Sequence, residues 1–215
     1  MVTQHRGDAM TSGHVLHWAH MYDLFGNIVT LGRAAAMREQ TVELATLTPG
    51  ERVLEVGCGT GEVAQRALSR VGSIGQVSGI DPSAEMIAVA QRKAARAGLD
   101  IDYRVGAIEA LPYPDVSFDV VLSSLMMHHL PDDLKSAGLA EVRRVLKPGG
   151  RLLIVDFKRP RHWLSRLAMR LVVHGHLGRG FEQLPAIVAA AELTDVRNGA
   201  TRFDFLGFVA AKRPA

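Results

Sequence analysis

The spacing of apolar residues along this chain switches repeatedly between two periods. Short runs rich in branched side chains stand at Val53, Leu54 and Val56, at Val77 and Ile80, at Val120, Val121 and Leu122, and at Leu152, Leu153, Ile154 and Val155. Such runs leave no polar face, which is how strands covered on both sides read. Between them the apolar residues recur every three or four positions, as on one face of a helix. The pattern predicts strands at 52–56, 76–80, 101–105, 120–123 and 151–156. It predicts helices at about 62–71, from Pro82 and Ser83 up to Gly98, and at about 132–146. A helix at 184–193, a strand starting near 195–197 and a strand at 201–211 follow; in the last, Phe203, Phe205 and Phe208 alternate with small or polar residues. Strand alternating with helix is the order of an α/β fold with a mostly parallel sheet. The final strand, turn and strand suit a closing antiparallel hairpin.

Two segments fall outside this alternation. Residues 1–13 are polar, and 14–45 form two helical blocks parted at Gly26 and Asn27. Residues 1–45 read as helices covering a ligand cleft in a core of 46–215. At about 158–180 Arg and His alternate with large apolar residues, and Arg166, Arg170 and His174 share one helical face. That segment reads as an inserted lid, as a solvated face, or as a basic helix (158–179) resting on an anionic membrane surface.

Composition narrows the classes. A chain of 215 residues suits one domain with a sizeable core, or one domain plus a small lid. Hydrophobic content of 47% and charged content of 22% are those of an ordinary globule. No run has the apolar length of a membrane span and the N-terminus has no apolar signal core, so a cytoplasmic location is expected. A formal charge of +3 is only mildly basic: it permits a nucleic-acid partner without arguing for one, and none is expected. The lone cysteine, Cys58, excludes an internal disulfide; inside a glycine run it reads first as a small residue filling a tight turn.

That glycine run holds the chemistry. Glu55, Gly57, Gly59 and Gly61 lead from the first strand into the helix opening at Glu62. Strand, glycine turn and helix let a backbone approach a bound nucleotide closely, with helix N–H groups aimed at it. The spacing is Gly-x-Gly-x-Gly behind an acid, not the dinucleotide fingerprint Gly-x-Gly-x-x-Gly. An acid repels a pyrophosphate; it suits a cationic ligand such as a sulfonium with an α-amino group. Asp81 ends the second strand about 20 residues past the loop, where an acid accepts from two vicinal ribose hydroxyls. Its competing role is a helix N-cap.

With these residues come Gly106, Leu111 and Pro112 after the third strand, and Lys147, Pro148, Gly149 and Gly150 before the fifth. In this order and spacing the set resembles the class I S-adenosylmethionine (SAM) dependent methyltransferases. The nearest likeness is to the ubiquinone/menaquinone biosynthesis C-methyltransferases and their small-molecule relatives. The resemblance implies a Rossmann-like, seven-stranded, mostly parallel sheet with helices on both faces and SAM across its C-terminal strand ends. It places the methionine part at Glu55, Gly57, Cys58 and Gly59, and the ribose at Asp81, with Pro82 next to it. Met86 packs near the adenine, Ala107 and Ile108 flank it, and Ser123 sits under the sulfonium. Ala107 departs from the family, which has an Asp there bonded to the adenine amino group; the backbone of Ala107 and Ile108 is left to read that edge.

The implied reaction is in-line methyl transfer to a small-molecule acceptor resembling a quinone precursor, lipid or natural product. His128 and His129, just past the fourth strand, are candidate bases for an acceptor that must lose a proton, or a pair that caps the next helix or packs on the cofactor. No metal is expected, since His162, His174 and His176 have no acid or cysteine interleaved. Three alternatives stand beside this reading: a nicotinamide oxidoreductase of Rossmann type, a nucleic-acid methyltransferase, and a SAM-binding protein without catalysis.

Overall fold

In the computed structural model, which describes Thr11, residues 32–160 and residues 180–215, the expected strands join in one sheet. Strand β1 (Arg52–Val56) lies inside it, parallel to β2 (Gln76–Asp81) on one side and to β4 (Phe118–Ser124) on the other. Strand β3 (Asp102–Val105) continues beyond β2, and β5 (Leu146–Phe157) beyond β4, both in parallel. Strand β7 (Leu206–Lys212) runs antiparallel between β5 and the edge strand β6 (Thr194–Ala200). The order is β3-β2-β1-β4-β5-β7-β6, seven strands with the hairpin at one edge.

Helices α1 (Ala34–Leu44), α2 (Glu62–Val71), α3 (Ala84–Arg96), α4 (Asp132–Val145) and α5 (Leu184–Ala190) cover both faces. Successive strand residues point to opposite faces, so one apolar run feeds two cores. Leu54, Val56, Val121 and Ile154 pack with Leu139, Val142 and Val188 of α4 and α5. Val53, Val120, Leu122 and Leu153 pack with Met37, Ala67 and Ile87 of α1, α2 and α3. The inward stripe of α4 is Lys135, Gly138, Leu139, Val142 and Val145. A lysine among those positions is out of character for a core-facing helix.

Two elements differ in detail from the expectation. Phe118 pairs with Leu146 and Val120 with Arg151, so the Pro148, Gly149, Gly150 turn loops out of a ladder that begins before it. The last strand begins only at Leu206. The backbone N–H of Phe203 donates to Thr201 Oγ1 at 3.0 Å and folds the preceding residues into a turn. Phe203 and Phe205 therefore belong to the hairpin connection, where Phe205 stacks 6.3 Å from Phe157. Their alternation with polar residues imitated a strand.

The first N-terminal helical block, the Arg166, Arg170 and His174 face, and the His162, His174 and His176 set lie outside the described residues. Among the described residues no helix is long and apolar enough to cross a membrane.

Candidate active site

The chain runs from β1 outward through β2 to β3, then crosses back to β4 on the other side of β1. That reversal opens a crevice at the C-terminal strand ends, the usual ligand position in open α/β sheets. A cleft of about 720 Å³, open space at its mouth included, lies there. Gly57 and Gly59 line it after β1, Asp81, Pro82 and Met86 after β2, Ala107, Ile108 and Glu109 after β3, and Ser124, Met126 and His129 after β4. Thr11 lines it as well.

The glycine loop is tight because its neighbours leave no room. Gly57 has φ 68°, and a Cβ there would stand 2.3 Å from Met126 Cγ. Gly61 has φ 81°, and its Cβ would stand 2.3 Å from Tyr103 Oη. The Tyr103 hydroxyl instead donates to the Gly61 carbonyl at 3.0 Å, pinning the loop from β3. An L side chain at either position would meet both a disfavoured backbone and a clash.

Gly61 also opens α2 without a side chain to cap it. Glu55 supplies that cap from the preceding strand: its Oε2 accepts from the Ala64 N–H at 2.8 Å. A carboxyl oxygen at a helix N-terminus satisfies an orphan donor. Glu55 is 2% exposed and lies behind the loop, on the α2 side, not among the residues lining the cleft. Burial pushes its pKa up to about 8; the Ala64 N–H opposes that rise and the charge of Asp81 adds to it.

Asp81 joins the two halves of the cleft floor. Its Oδ2 accepts from the Gly59 N–H at 2.9 Å and its Oδ1 from the Ser83 N–H at 2.9 Å. The side-chain cap of α3 is Ser83, whose Oγ accepts from the Met86 N–H at 3.3 Å. Asp81 thus lines the cleft and sets the glycine loop, while its neighbour does the capping.

Cys58 and Ser123 sit one layer back. Burial pushes the Cys58 thiol well above its ordinary value, and the charges of Asp81 and Glu55 add to the rise, so it stays protonated. Ser123 is buried, with an Oγ that has no hydrogen-bond partner among the described residues; its neighbour Ser124 lines the cleft. Leu125 has φ 55°, held there as its N–H donates to the Val155 carbonyl at 2.8 Å. A branched side chain in the left-handed region stores strain of about 1–3 kcal/mol, a feature that gathers at functional sites.

Sequence reasoning missed Glu109. Its Oε2 is buried without a partner among the described residues, and the residue lines the cleft, two positions past Ala107. An orphan buried acceptor of this kind calls for a donor.

The histidine pair is divided. His129 lines the cleft. His128 turns to the end of β5: its Nδ1 stands 2.6 Å from Asp156 Oδ1, and its backbone N–H donates to Asp156 Oδ2 at 2.9 Å. The two rings lie 3.9 Å apart, tilted by 43°. His128, Asp156 and Lys135 line a second cavity of about 370 Å³. Sequence signals for the two missed residues did exist: Asp156 ends a core strand at the ligand edge of the sheet, and Lys135 interrupts the apolar stripe of α4. Among the described residues no three His, Cys, Asp or Glu side chains cluster as a metal site.

Residues 53–150 match the methyltransferase domain family. The UbiE ubiquinone/menaquinone biosynthesis C-methyltransferase of Shewanella frigidimarina (strain NCIMB 400) is 34% identical over 150 residues, 69% of this chain and 59% of that protein. Its counterpart in Shewanella piezotolerans (strain WP3 / JCM 13877) is 33% identical over 159 residues, 73% of this chain and 62% of that protein. The chain thus spans about three fifths of the length of these relatives, 59% and 62%. Among solved structures, a SAM dependent methyltransferase from Aquifex aeolicus superposes with a TM-score of 0.68 at 23% identity, covering 89% of this chain and 97% of that one. The cyclase SpnF superposes at 0.69 with 22% identity, covering 92% and 95%. At such identities these two speak for the fold alone. The matched family, the 34% identity to a UbiE enzyme and the strand order point the same way: residues 53–150 match a methyltransferase domain and are UbiE-like in sequence.

Proposed function

We propose that the chain binds SAM in the cleft after β1, β2 and β3 and transfers its methyl group to a small-molecule acceptor. The observation carrying this is the cleft's lining: two glycines that present bare backbone, an acid fixed at the end of β2, and, after β3, a buried carboxyl oxygen with no partner among the described residues. The residues fit the cofactor part by part. Gly57 and Gly59 leave the backbone bare for the amino-acid end. Asp81, fixed by the Gly59 and Ser83 N–H groups, accepts from the ribose hydroxyls. Glu109 Oε2 accepts from the adenine amino group, in place of the side chain that Ala107 lacks.

SAM supplies a methyl group on a sulfonium that departs readily. The chain therefore has to align the acceptor and exclude water, more than to activate a leaving group. His129 lines the cleft and bounds the space left for the acceptor. The relatives are by name enzymes of ubiquinone and menaquinone biosynthesis. That name supports a quinone precursor as the acceptor class here.

Calorimetric titration with SAM, S-adenosylhomocysteine and NAD tests the reading. The first two are expected to bind and NAD not to. Failure of both SAM and S-adenosylhomocysteine at millimolar concentration would overturn it.

A further inference from the structure

The cavity beside the cleft has a composition that packing does not require. It adjoins the cleft through the turn at Met127–His129, whose His129 faces one space and whose His128 faces the other. Phe157, Phe181 and Leu184 give it apolar walls. Set into them are three polar side chains, two of them nearly sealed from water: Asp156 is 2% exposed and Lys135 7%.

Asp156 fixes one tautomer. Its Oδ2 accepts from the His128 N–H, and its Oδ1 accepts from the Phe157 N–H at 2.7 Å while standing 2.6 Å from His128 Nδ1. A carboxylate held by backbone donors is the acceptor in that third contact, so the ring proton sits on Nδ1. In the neutral ring Nε2 then carries the lone pair, and it has no partner among the described residues. Lys135 Nζ pairs with Asp132 Oδ1 at 2.8 Å, on a side chain that reaches the surface, and itself lines the cavity. Asp132 offsets part of the cost of a lysine in the apolar stripe of a core helix, and an ammonium has three N–H donors, so the cavity is where a second negative group would meet it.

We infer that this cavity holds the acceptor's ionisable hydroxyl, that of a phenol or enol, with His128 as its base, Lys135 as the cation beside the resulting oxyanion, and Asp156 as the positioning residue. The assignment rests on the methyl-transfer reading. The acceptor O–H bond breaks, its proton forms Nε2–H on His128, and the electron pair stays on the oxygen. That oxygen, or the ring carbon conjugated with it, then attacks the methyl carbon, and the carbon–sulfur pair returns to sulfur. After attack by oxygen His128 releases its proton to water. After attack by carbon it returns the proton to the oxygen, and the carbon's own proton leaves to water.

The test uses the full chain saturated with S-adenosylhomocysteine and two probes, 1-naphthol and 1-methoxynaphthalene, which differ in one ionisable hydroxyl. Naphthol is expected to bind about tenfold more tightly than the ether, the scale of a charge-assisted hydrogen bond, and to move the nitrogen NMR signals of His128. Lys135→Met keeps the stem and removes the charge; it should erase the preference for naphthol and leave S-adenosylhomocysteine affinity unchanged. Asp156→Asn should move the His128 proton to Nε2, a signature that mere packing would not produce. Equal affinity for the two probes, absence of naphthol binding, or unmoved His128 signals would overturn the assignment while cofactor binding stands. Loss of S-adenosylhomocysteine binding in the unaltered chain would sink the methyl-transfer reading and this one with it.

Discussion

Glu55 lies in a different place from the one its charge suggests. Its charge suggested a partner for a sulfonium, whereas its carboxyl caps α2 behind the loop. The energetic consequence is specific. The folded-state pKa of about 8 lies above that of an exposed carboxyl, because of burial first and Asp81 second. The folded chain therefore binds the extra proton, and this contribution to stability falls as pH rises from about 4.5 to about 8, by a few kcal/mol in all. Glu55→Gln keeps an acceptor for the Ala64 N–H and removes the titration. Thermal melts at pH 5 and pH 9 should show a larger loss for the unaltered chain than for Glu55→Gln; parallel losses would refute the point. Glu109 has its own test. Glu109→Ala should weaken S-adenosylhomocysteine about tenfold, one charge-assisted hydrogen bond, and leave the affinity for S-inosylhomocysteine, which lacks the amino group, unchanged.

At the scale of elements, the site depends on how helices begin. α2 starts on a glycine and borrows its cap from β1; α3 starts on Ser83 and presents Met86 to the cleft in its first turn. Ser83→Ala should cost about 1 kcal/mol, the usual worth of such a cap, seen as a lower urea midpoint at unchanged slope. Because the Ser83 N–H and Asp81 stay in place, cofactor affinity should move less than stability. The helix α4 adds a surface counterpart to Glu55. Hydrogen bonding from Arg144 holds the Glu141 carboxyl below its ordinary value, ahead of the opposing effect of burial. That contribution is present above the carboxyl's unfolded pKa and is lost as pH falls through the folded one. Glu141→Gln should narrow the stability difference between pH 6 and pH 3, and an unchanged difference would count against it.

For the whole molecule, fold and activity have to be tested separately. SpnF, by name a cyclase, shares this architecture over 92% of the chain, so a superposition does not choose the chemistry. Ligand linkage is the direct measurement. S-adenosylhomocysteine at a hundred times its dissociation constant should stabilise the chain by about 2.7 kcal/mol, and NAD should not. For 215 residues that corresponds to a rise of some degrees in melting temperature, on the order of 5 °C or more. A shift with NAD and none with S-adenosylhomocysteine would revive the oxidoreductase alternative.

Periodicity and glycine spacing by themselves determined the α/β class, the strand order of appearance, the loop after β1 and the acid at Asp81. These are local facts: a strand covered on both faces must be apolar throughout, and a loop that carries no Cβ must be written with glycine. Only tertiary structure decided that Glu55 faces α2, that His128 and His129 part company, and that Asp156 and Lys135 reach the same cavity. His128 and Asp156, for one, meet across 28 positions of chain. No local spacing encodes such a meeting; sheet order and the face on which each side chain emerges create it.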